Sequence, residues 1–502
     1  MAEPVAVDVV VVGAGTAGLA ACRTLAAAGL SVAVVEAELA GGAAAYWADI
    51  PLDALRLPGE VLLAAQSVPG AQDAVTTTLD AAATLQWRNS LVHHWQDDAA
   101  AATLERAGVQ LLRGRARITG PRQVSVARLD GGTEVAEAAL AVVLATGSAP
   151  EPVGEELHSA GAACWGTREA LSAATVPHRL VVAGGGPLAA AIAQAYARLG
   201  SRVVLAAPDG LLPGWPAPAV ELAAASMRAD GIQLWRTTGA TKATAGGGSL
   251  VVELANGHTV DCDALLVDTP RRPLLAGLGL ESLEIPSGPG SPGGLRLDAL
   301  RLDAHGLVQG TDWLYLAGDA AGAGLRSAGS GSTAPGAAGS NTSGSNTAGS
   351  STAGSNTAAF SSTAAADQGR RAAASILAAA GVEDGRASPA RGAAGPALAP
   401  RMVYTDPLIA AVGPSLEQAR HQGLDPTVLL NRVSSADATP ARRAGGHADV
   451  FSQLLVDPDT SRLLGATFAG PDAAALAQLA ALAITARLPA GALLGAAPPP
   501  GD

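Results

Sequence analysis

Cysteine is scarce: the 502 residues hold three, Cys22, Cys164 and Cys262. They lie far apart and form no C-x-x-C pair, which excludes a disulfide scaffold and the usual zinc spacings. Lysine is almost missing, with Lys242 its single occurrence, so arginine carries the positive charge. Acidic residues outnumber basic ones by 44 to 32, a formal charge of −12. Nucleic acid and anionic membrane surfaces repel such a chain, and neither is expected as a partner. Aromatic residues make up only 3%, and much of the 48% hydrophobic content is alanine. No clean run reaches the roughly 20 apolar residues of a membrane span. The longest alanine-rich stretch, 473–486, is interrupted by Gln478. No basic region precedes the first apolar run, so no signal peptide is read there, and a soluble cytoplasmic protein is expected.

What is present is a repeated pattern. Residues 7–12 form a valine-rich run that reads as a strand buried on both faces, as in a parallel sheet. Residues 16–28 follow with a helical composition and stop at Gly29. Residues 31–35 are a second apolar strand, closing on Glu36. The same order recurs with a strand at 179–182, a glycine turn at 184–186, a helix at 188–199 and a strand at 202–205. Between the two units, 139–144 is an apolar strand ending in Ala145-Thr146-Gly147. A further strand, 313–316, leads into Gly318-Asp319. Residues 327–362 are low complexity, uncharged and poor in large apolar side chains. They cannot bury enough area to offset their ordering entropy and read as a disordered loop. Residues 385–399 read as a linker, and a last domain starts near Met402. Its strands are expected at 453–456 and 463–469, and its helix at 472–487. The proline-rich end, 495–502, reads as frayed.

Gly13-Ala14-Gly15-Thr16-Ala17-Gly18 fits G-x-G-x-x-G in its proper context, between strand and helix. The first glycine permits the turn, the second lets backbone approach a pyrophosphate, and the third lets helix and strand pack closely. The helix N-terminus offers N–H groups to the phosphates. Glu36, at the end of the next strand, is placed to accept hydrogen bonds from a ribose.

With Gly13, Gly15, Gly18, Glu36, Gly41-Gly42, Thr146-Gly147, a second glycine turn and Gly318-Asp319 in this order, the chain resembles the pyridine nucleotide–disulfide oxidoreductases. This is the group of lipoamide dehydrogenase, glutathione reductase and mercuric reductase. Val403-Tyr404-Thr405-Asp406-Pro407, Ala411-Val412-Gly413, Leu464-Gly465-Ala466 and Gly470-Pro471 are similar to that family's dimerisation domain. The resemblance implies an α/β fold of two Rossmann-like FAD/NAD(P)-binding domains plus an α+β C-terminal dimerisation domain. Expected boundaries are 1–152 with 298–385 for a discontinuous FAD domain, 153–297 for the NAD(P)-like domain and 400–502 for the last. It implies FAD bound in extended form and a homodimer. Gly13, Gly15 and Gly18 would hold the pyrophosphate and Glu36 the adenosine ribose. The Ala116 backbone would sit near the adenine, Thr146 and Gly147 beside the cofactor, and Asp319 at the ribityl chain, with Gly42 and Gly318 also among the cofactor-binding residues.

The departures bear on function. Where the family carries two redox cysteines, Ala44 and Asp49 stand here, held in register by Gly41, Gly42, Ile50 and Pro51. Neither can supply the thiolate that attacks a disulfide. Cys22 reads as a small buried hydrophobe. The family's flavin-side lysine is Asp53, and its glutamate partner is Ala191, so both members of one ion pair are gone. No histidine follows His447. The second glycine motif keeps Gly184, Gly186 and Ala189, but the acid at the following strand end is Ala207. Asp209 stands two residues on, and NAD(P)H binding is left open. His93 and His94 are adjacent and read as helix surface, not as metal ligands. Asp49 is the sharpest catalytic candidate, a carboxylate able to take a proton as a hydride leaves to a flavin. Asp53 and Tyr46 are the other residues assigned to the catalytic face, with Tyr46 and Trp47 either bordering the flavin or packing beneath it. Two readings remain. One is an FAD-dependent oxidoreductase acting on a small organic molecule directly at the flavin. The other is a flavin-binding pseudoenzyme with a structural or partner-binding role.

Overall fold

Valine-rich runs with no polar face must be covered on both sides, and in the computed structural model they lie at the centre of a parallel sheet. The structure describes residues 4–159, 161–236, 238–246, 249–283, 300–322, 362–382, 398–433 and 449–492. Except for Ser362, the low-complexity stretch 327–362 lies outside them. So do 385–397 of the linker and the whole of 495–502.

The first sheet contains β1 (Val5–Val12), β2 (Val32–Glu36), β3 (Val109–Gly120), β4 (Gln123–Arg128), β5 (Thr133–Leu144) and β16 (Leu314–Leu316). Its parallel order is β3-β2-β1-β5-β16, and β4 runs antiparallel between the far ends of β3 and β5. Val9, Val10 and Val11 have no exposed surface. β5 begins earlier than the apolar run 139–144, because its leading half alternates buried and exposed residues where it pairs with β4. Alternation of that kind marks a strand covered on one face only.

The second sheet repeats the plan. β7 (Cys164–Trp165), β8 (Arg179–Ala183), β9 (Arg202–Ala206), β10 (Gln233–Trp235) and β14 (Ala264–Val267) run parallel in the order β10-β9-β8-β14-β7. Cys164 and Trp165 thus form an edge strand of this sheet. An antiparallel meander, β11 (Ala240–Gly246), β12 (Ser249–Leu254) and β13 (Thr259–Cys262), stands beside it. The chain passes between the two sheets twice, and the passages pair as β6 (Ser148–Pro150) with β15 (Arg271–Pro273).

The C-terminal sheet is antiparallel, in the order β17-β18-β21-β20-β19, with β17 (Arg401–Val403), β18 (Ile409–Val412), β19 (Thr427–Val433), β20 (Val450–Val456) and β21 (Leu463–Ala469). A helix, Ala473–Thr485, packs on it through Ala473, Ala477, Ala480 and Ala483, one stripe at helical spacing. Among the described residues no helix is long and apolar enough to cross a membrane.

Helix Thr16–Ala27 is crossed by helix Ser362–Ala379, the element that follows the low-complexity stretch. The crossing is close because Gly369 has no side chain: a β-carbon there would stand 2.1 Å from the Ala17 carbonyl oxygen. Gly369→Ala therefore sets two effects against each other. Helix propensity favours alanine by about 1 kcal/mol. Overpacking costs about 1–3 kcal/mol, and backbone is the neighbour least able to yield. We expect a net loss of stability, read as a lower thermal midpoint than wild type. An unchanged or raised midpoint would show that the two helices separate freely.

Candidate functional site

The first glycine turn is built by exclusion of β-carbons. Gly13 has φ +100°, and a β-carbon on it would lie 2.4 Å from the Ala145 carbonyl oxygen. On Gly18 it would lie 1.9 Å from the Gly13 carbonyl oxygen. Gly42, at φ +66°, backs onto Gly15, where a β-carbon would fall 2.6 Å from the Gly15 Cα. This brings the N-terminus of helix Thr16–Ala27 bare to a small cavity lined by Gly15, Thr16, Gly147, Gly318 and Asp319. A cradle that β-carbons would fill, facing helical N–H groups, fits the pyrophosphate of an extended dinucleotide.

Glu36 closes the turn from the end of β2. Its Oε2 accepts the Ala14 N–H at 2.7 Å and its Oε1 accepts the Glu38 N–H at 2.8 Å. Burial pushes its carboxyl up, and those donors work against the shift. Ala116 sits half-buried on β3, opposite Val126 and outside the lining of both cavities. Two residues before it, Gly114 has no room for a β-carbon, which would lie 2.4 Å from the Ala127 carbonyl oxygen. Thr146 donates to the Leu274 carbonyl at 2.7 Å, and Gly147 turns at φ +74°.

A larger cavity of about 470 Å³ adjoins this one, enclosed by all three parts of the fold. The first Rossmann-like unit contributes Asp49 and Asp319, the passage between the units Ser148, the second unit its glycine turn and Asp268, and the C-terminal part Tyr404. Asp49 and Asp319 line both cavities. Asp49 opens helix Asp49–Ser67. Burial, then the charges of Asp53 and Asp319, push its carboxyl above the ordinary range, against a hydrogen bond with Ser362. Asp319 is held by Ser148, whose hydroxyl donates to Oδ2 at 2.6 Å. Arg271 donates from Nε to the same hydroxyl at 3.0 Å and from Nη2 to the Ser148 carbonyl at 2.6 Å.

The three catalytic candidates separate here. Asp53, one turn after Asp49, is exposed and bound to Arg56 at 2.9 Å. Tyr46 is 3% exposed, its hydroxyl directed at the carbonyls of Ala40 and Gln96. Neither lines a cavity. Trp47 stacks on Trp95 and under Arg168. Cys22 is fully buried and its thiol pushed up to about 12 by that burial. Cys164 and Cys262 are also free thiols. His93 and His94 lie in a short turn with positive φ and not on a regular helix. Ser148 and Arg271 carry no motif in the sequence, and Tyr404 is legible there only as part of the dimerisation-domain resemblance; the three meet only in the fold.

At the second glycine turn, Gly184 has φ +131° and Gly186 starts the helix Pro187–Arg198, in which Ala189 is fully buried. The Gly186 N–H donates to Asp268 Oδ2 at 3.1 Å. Ala207 is fully buried, and its loop returns over the turn, with the Leu212 N–H donating to the Gly185 carbonyl at 2.7 Å.

Residues 7–340 match the family model described as pyridine nucleotide-disulphide oxidoreductase. Residues 399–497 match that family's dimerisation domain. A mercuric reductase of Acidithiobacillus ferrooxidans is 27% identical over 96% of this chain and 77% of its own. A dihydrolipoyl dehydrogenase of Chlorobaculum tepidum is 28% identical over 97% of this chain and 92% of its own. Among solved structures, LpdA of Mycobacterium tuberculosis superposes with a TM-score of 0.73 at 21% identity, covering 97% of this chain and 94% of that one. The flavoprotein disulfide reductase RclA of Escherichia coli gives 0.71 at 20% identity, covering 96% and 94%.

The turn yields a direct expectation. Gly18→Val places branched carbons on the Gly13 carbonyl, which cannot move without moving the phosphate seat. The purified variant should carry less than a tenth of the wild-type flavin, measured by visible absorbance against protein. Stoichiometric flavin in this variant would show that the turn is not the seat.

Proposed function

The chain belongs to the pyridine nucleotide-disulphide oxidoreductase family, and on that premise we propose that this FAD-dependent oxidoreductase acts on a small organic substrate directly at the flavin, with no redox-active disulfide. One observation carries the reading: the carboxyl of Asp49 stands in the wall shared by the cofactor cavity and the larger one, and among the described residues no cysteine lines either. The residues of the first turn suit FAD, with Gly13, Gly15 and Gly18 at its pyrophosphate, Glu36 at its ribose side and Asp319 at its ribityl chain. When bound, FAD supplies a two-electron acceptor for a hydride.

The residues of the chain then divide the remaining work. The 470 Å³ cavity admits the substrate. Asp49 takes the proton from the substrate's hydroxyl or amine as the hydride leaves its carbon, so that the substrate loses two electrons and two protons. The carboxyl is suited to this because burial and its acidic neighbours raise its proton affinity. Asp53 acts through Asp49, as one of those neighbours, and Tyr46 supports the turn from beneath. The Arg271–Ser148–Asp319 chain fixes the cofactor side of the cavity. Tyr404 closes the opposite wall, its hydroxyl pushed up by burial and by the charge of Asp49. We assign the C-terminal sheet to a homodimer interface. Exposed Leu430 and Leu482 on that domain support the assignment.

Asp49→Asn tests the base. Loss of a positioned general base costs about 10²–10⁴-fold in rate, so turnover with any donor that bleaches the wild-type flavin should fall at least 100-fold, with flavin content unchanged. Asp49 works only when deprotonated and its folded pKa is raised above 3.8. Turnover should therefore fall as pH drops through a value above the usual carboxylate range, and this limb should be absent from the variant. Unaltered turnover in the variant would remove Asp49 from the mechanism. A wild-type flavin that no organic donor reduces would leave the pseudoenzyme.

A further inference from the structure

A pyridine nucleotide needs two things from a Rossmann turn. Its pyrophosphate needs open N–H groups at the start of the helix, and its adenosine ribose needs a polar group at the end of the second strand. In the second turn the Gly186 N–H is already taken by the protein's own carboxylate, and the strand end is apolar, its nearest acid, Asp209, standing two residues on. The Asp268 carboxylate lies against the turn: a β-carbon on Gly186 would stand 2.3 Å from Oδ2, and one on Gly184 would stand 2.6 Å from the Asp268 Cβ. Oδ2 already accepts the Gly186 N–H at 3.1 Å. A carboxylate at a helix N-terminus is stabilised by the same dipole that would attract a phosphate. The strand end that would meet the ribose carries Ala207, which is fully buried. Its loop leaves no space over Gly185, where a β-carbon would be 2.2 Å from the Gly210 carbonyl oxygen and 2.9 Å from the Ala207 Cβ.

The surroundings point the same way. Among the described residues lining the large cavity, four are aspartates, Asp49, Asp209, Asp268 and Asp319, and one, Arg271, is basic. The Arg271 guanidinium is bound to Ser148, on the cofactor side. A dinucleotide would thus bring two phosphate charges into a cavity of net negative charge, and would have to displace Asp268 to reach the helix.

We propose that Asp268 occupies the phosphate seat of the second Rossmann turn and closes this site to NADH and NADPH, which makes it the specificity-determining residue of the cavity. The glycine motif is retained because strand and helix still pack through it, while its ligand contacts are made by the protein's own carboxylate. Protonated or not, the side chain fills the seat. The space beside the flavin is thereby kept for the organic substrate.

The test is equilibrium binding to the FAD-loaded protein, by calorimetry with ADP-ribose, the redox-inert half of the nucleotide. Wild type should give no saturable heat at concentrations up to 1,000 times those of the protein, on the order of the millimolar Kd of a weak site. Asp268→Ala, which removes both charge and bulk, should bind ADP-ribose at least tenfold more tightly. Asp268→Asn removes charge and keeps bulk, and should gain less than the alanine variant. If the alanine variant fails to fold, Asp268→Ser, which also withdraws the side chain from the seat, decides the matter: a gain of at least tenfold supports the seat, and no gain overturns it. Micromolar binding by wild type overturns the proposal, as does a folded, flavin-loaded Asp268→Ala that gains nothing. The readout needs no turnover, so it stands or falls apart from the oxidoreductase reading.

Discussion

The contact between Gly18 and the Gly13 carbonyl is the constraint on which the rest of this molecule hangs. No β-carbon fits there, so strand β1 and helix Thr16–Ala27 meet backbone to backbone. That closeness points the helix N-terminus at the cofactor cavity and sets Ala14 where Glu36 can reach its N–H. It also leaves Gly15 open to Gly42, which fixes the start of the segment carrying Asp49. The crossing helix, Ser362–Ala379, repeats the device with Gly369 against Ala17. Backbone surfaces without side chains are stiff and unforgiving, and a site made from them holds its shape without a ligand.

The two Rossmann-like units set a carboxylate differently against the same kind of turn. Both have the strand, the glycine turn and the helix. In the first, the carboxylate Glu36 stands beside the turn and binds its flanks. In the second, the carboxylate Asp268 lies on the helix N-terminus itself. Packing keeps the glycines in both cases, so the motif alone reports the architecture and not the occupant. What separates them is which N–H the acidic side chain binds, that of Ala14 within the first turn or that of Gly186 at the start of the second helix.

The acidity of the larger cavity has a second consequence. Burial, then the charges of Asp53 and Asp319, raise the proton affinity of Asp49, which suits the general base we propose. A redox disulfide would have wanted the opposite environment, since a thiolate is favoured by nearby positive charge. On the reading proposed here, Ala44 and Asp49 in place of two cysteines, with Asp53 in place of a lysine, form a consistent change in local electrostatics. The remaining thiols fit this picture, with Cys22 buried and its pKa driven far from the reactive range.

Much of this was legible from the residues in order. The valine strands, both glycine turns, Glu36, the Gly318-Asp319 pair and the missing cysteines are local signals, set by backbone sterics and residue chemistry within a few positions. They determined the fold class and the family, and they carry the FAD seat proposed at the first turn. Element ends were less legible: β5 was read short because its antiparallel half alternates with a partner the sequence does not display. Tyr46 and Asp49 lie three residues apart, yet one is sealed in the core and the other opens on a cavity. Only the tertiary structure decided that. It alone brought Tyr404 to Asp49, Arg271 to Ser148, and Asp268 onto Gly186, 82 residues away in sequence. The physical reason is that a side chain's surroundings are set by which distant segments pack against it, and no local pattern encodes that distance.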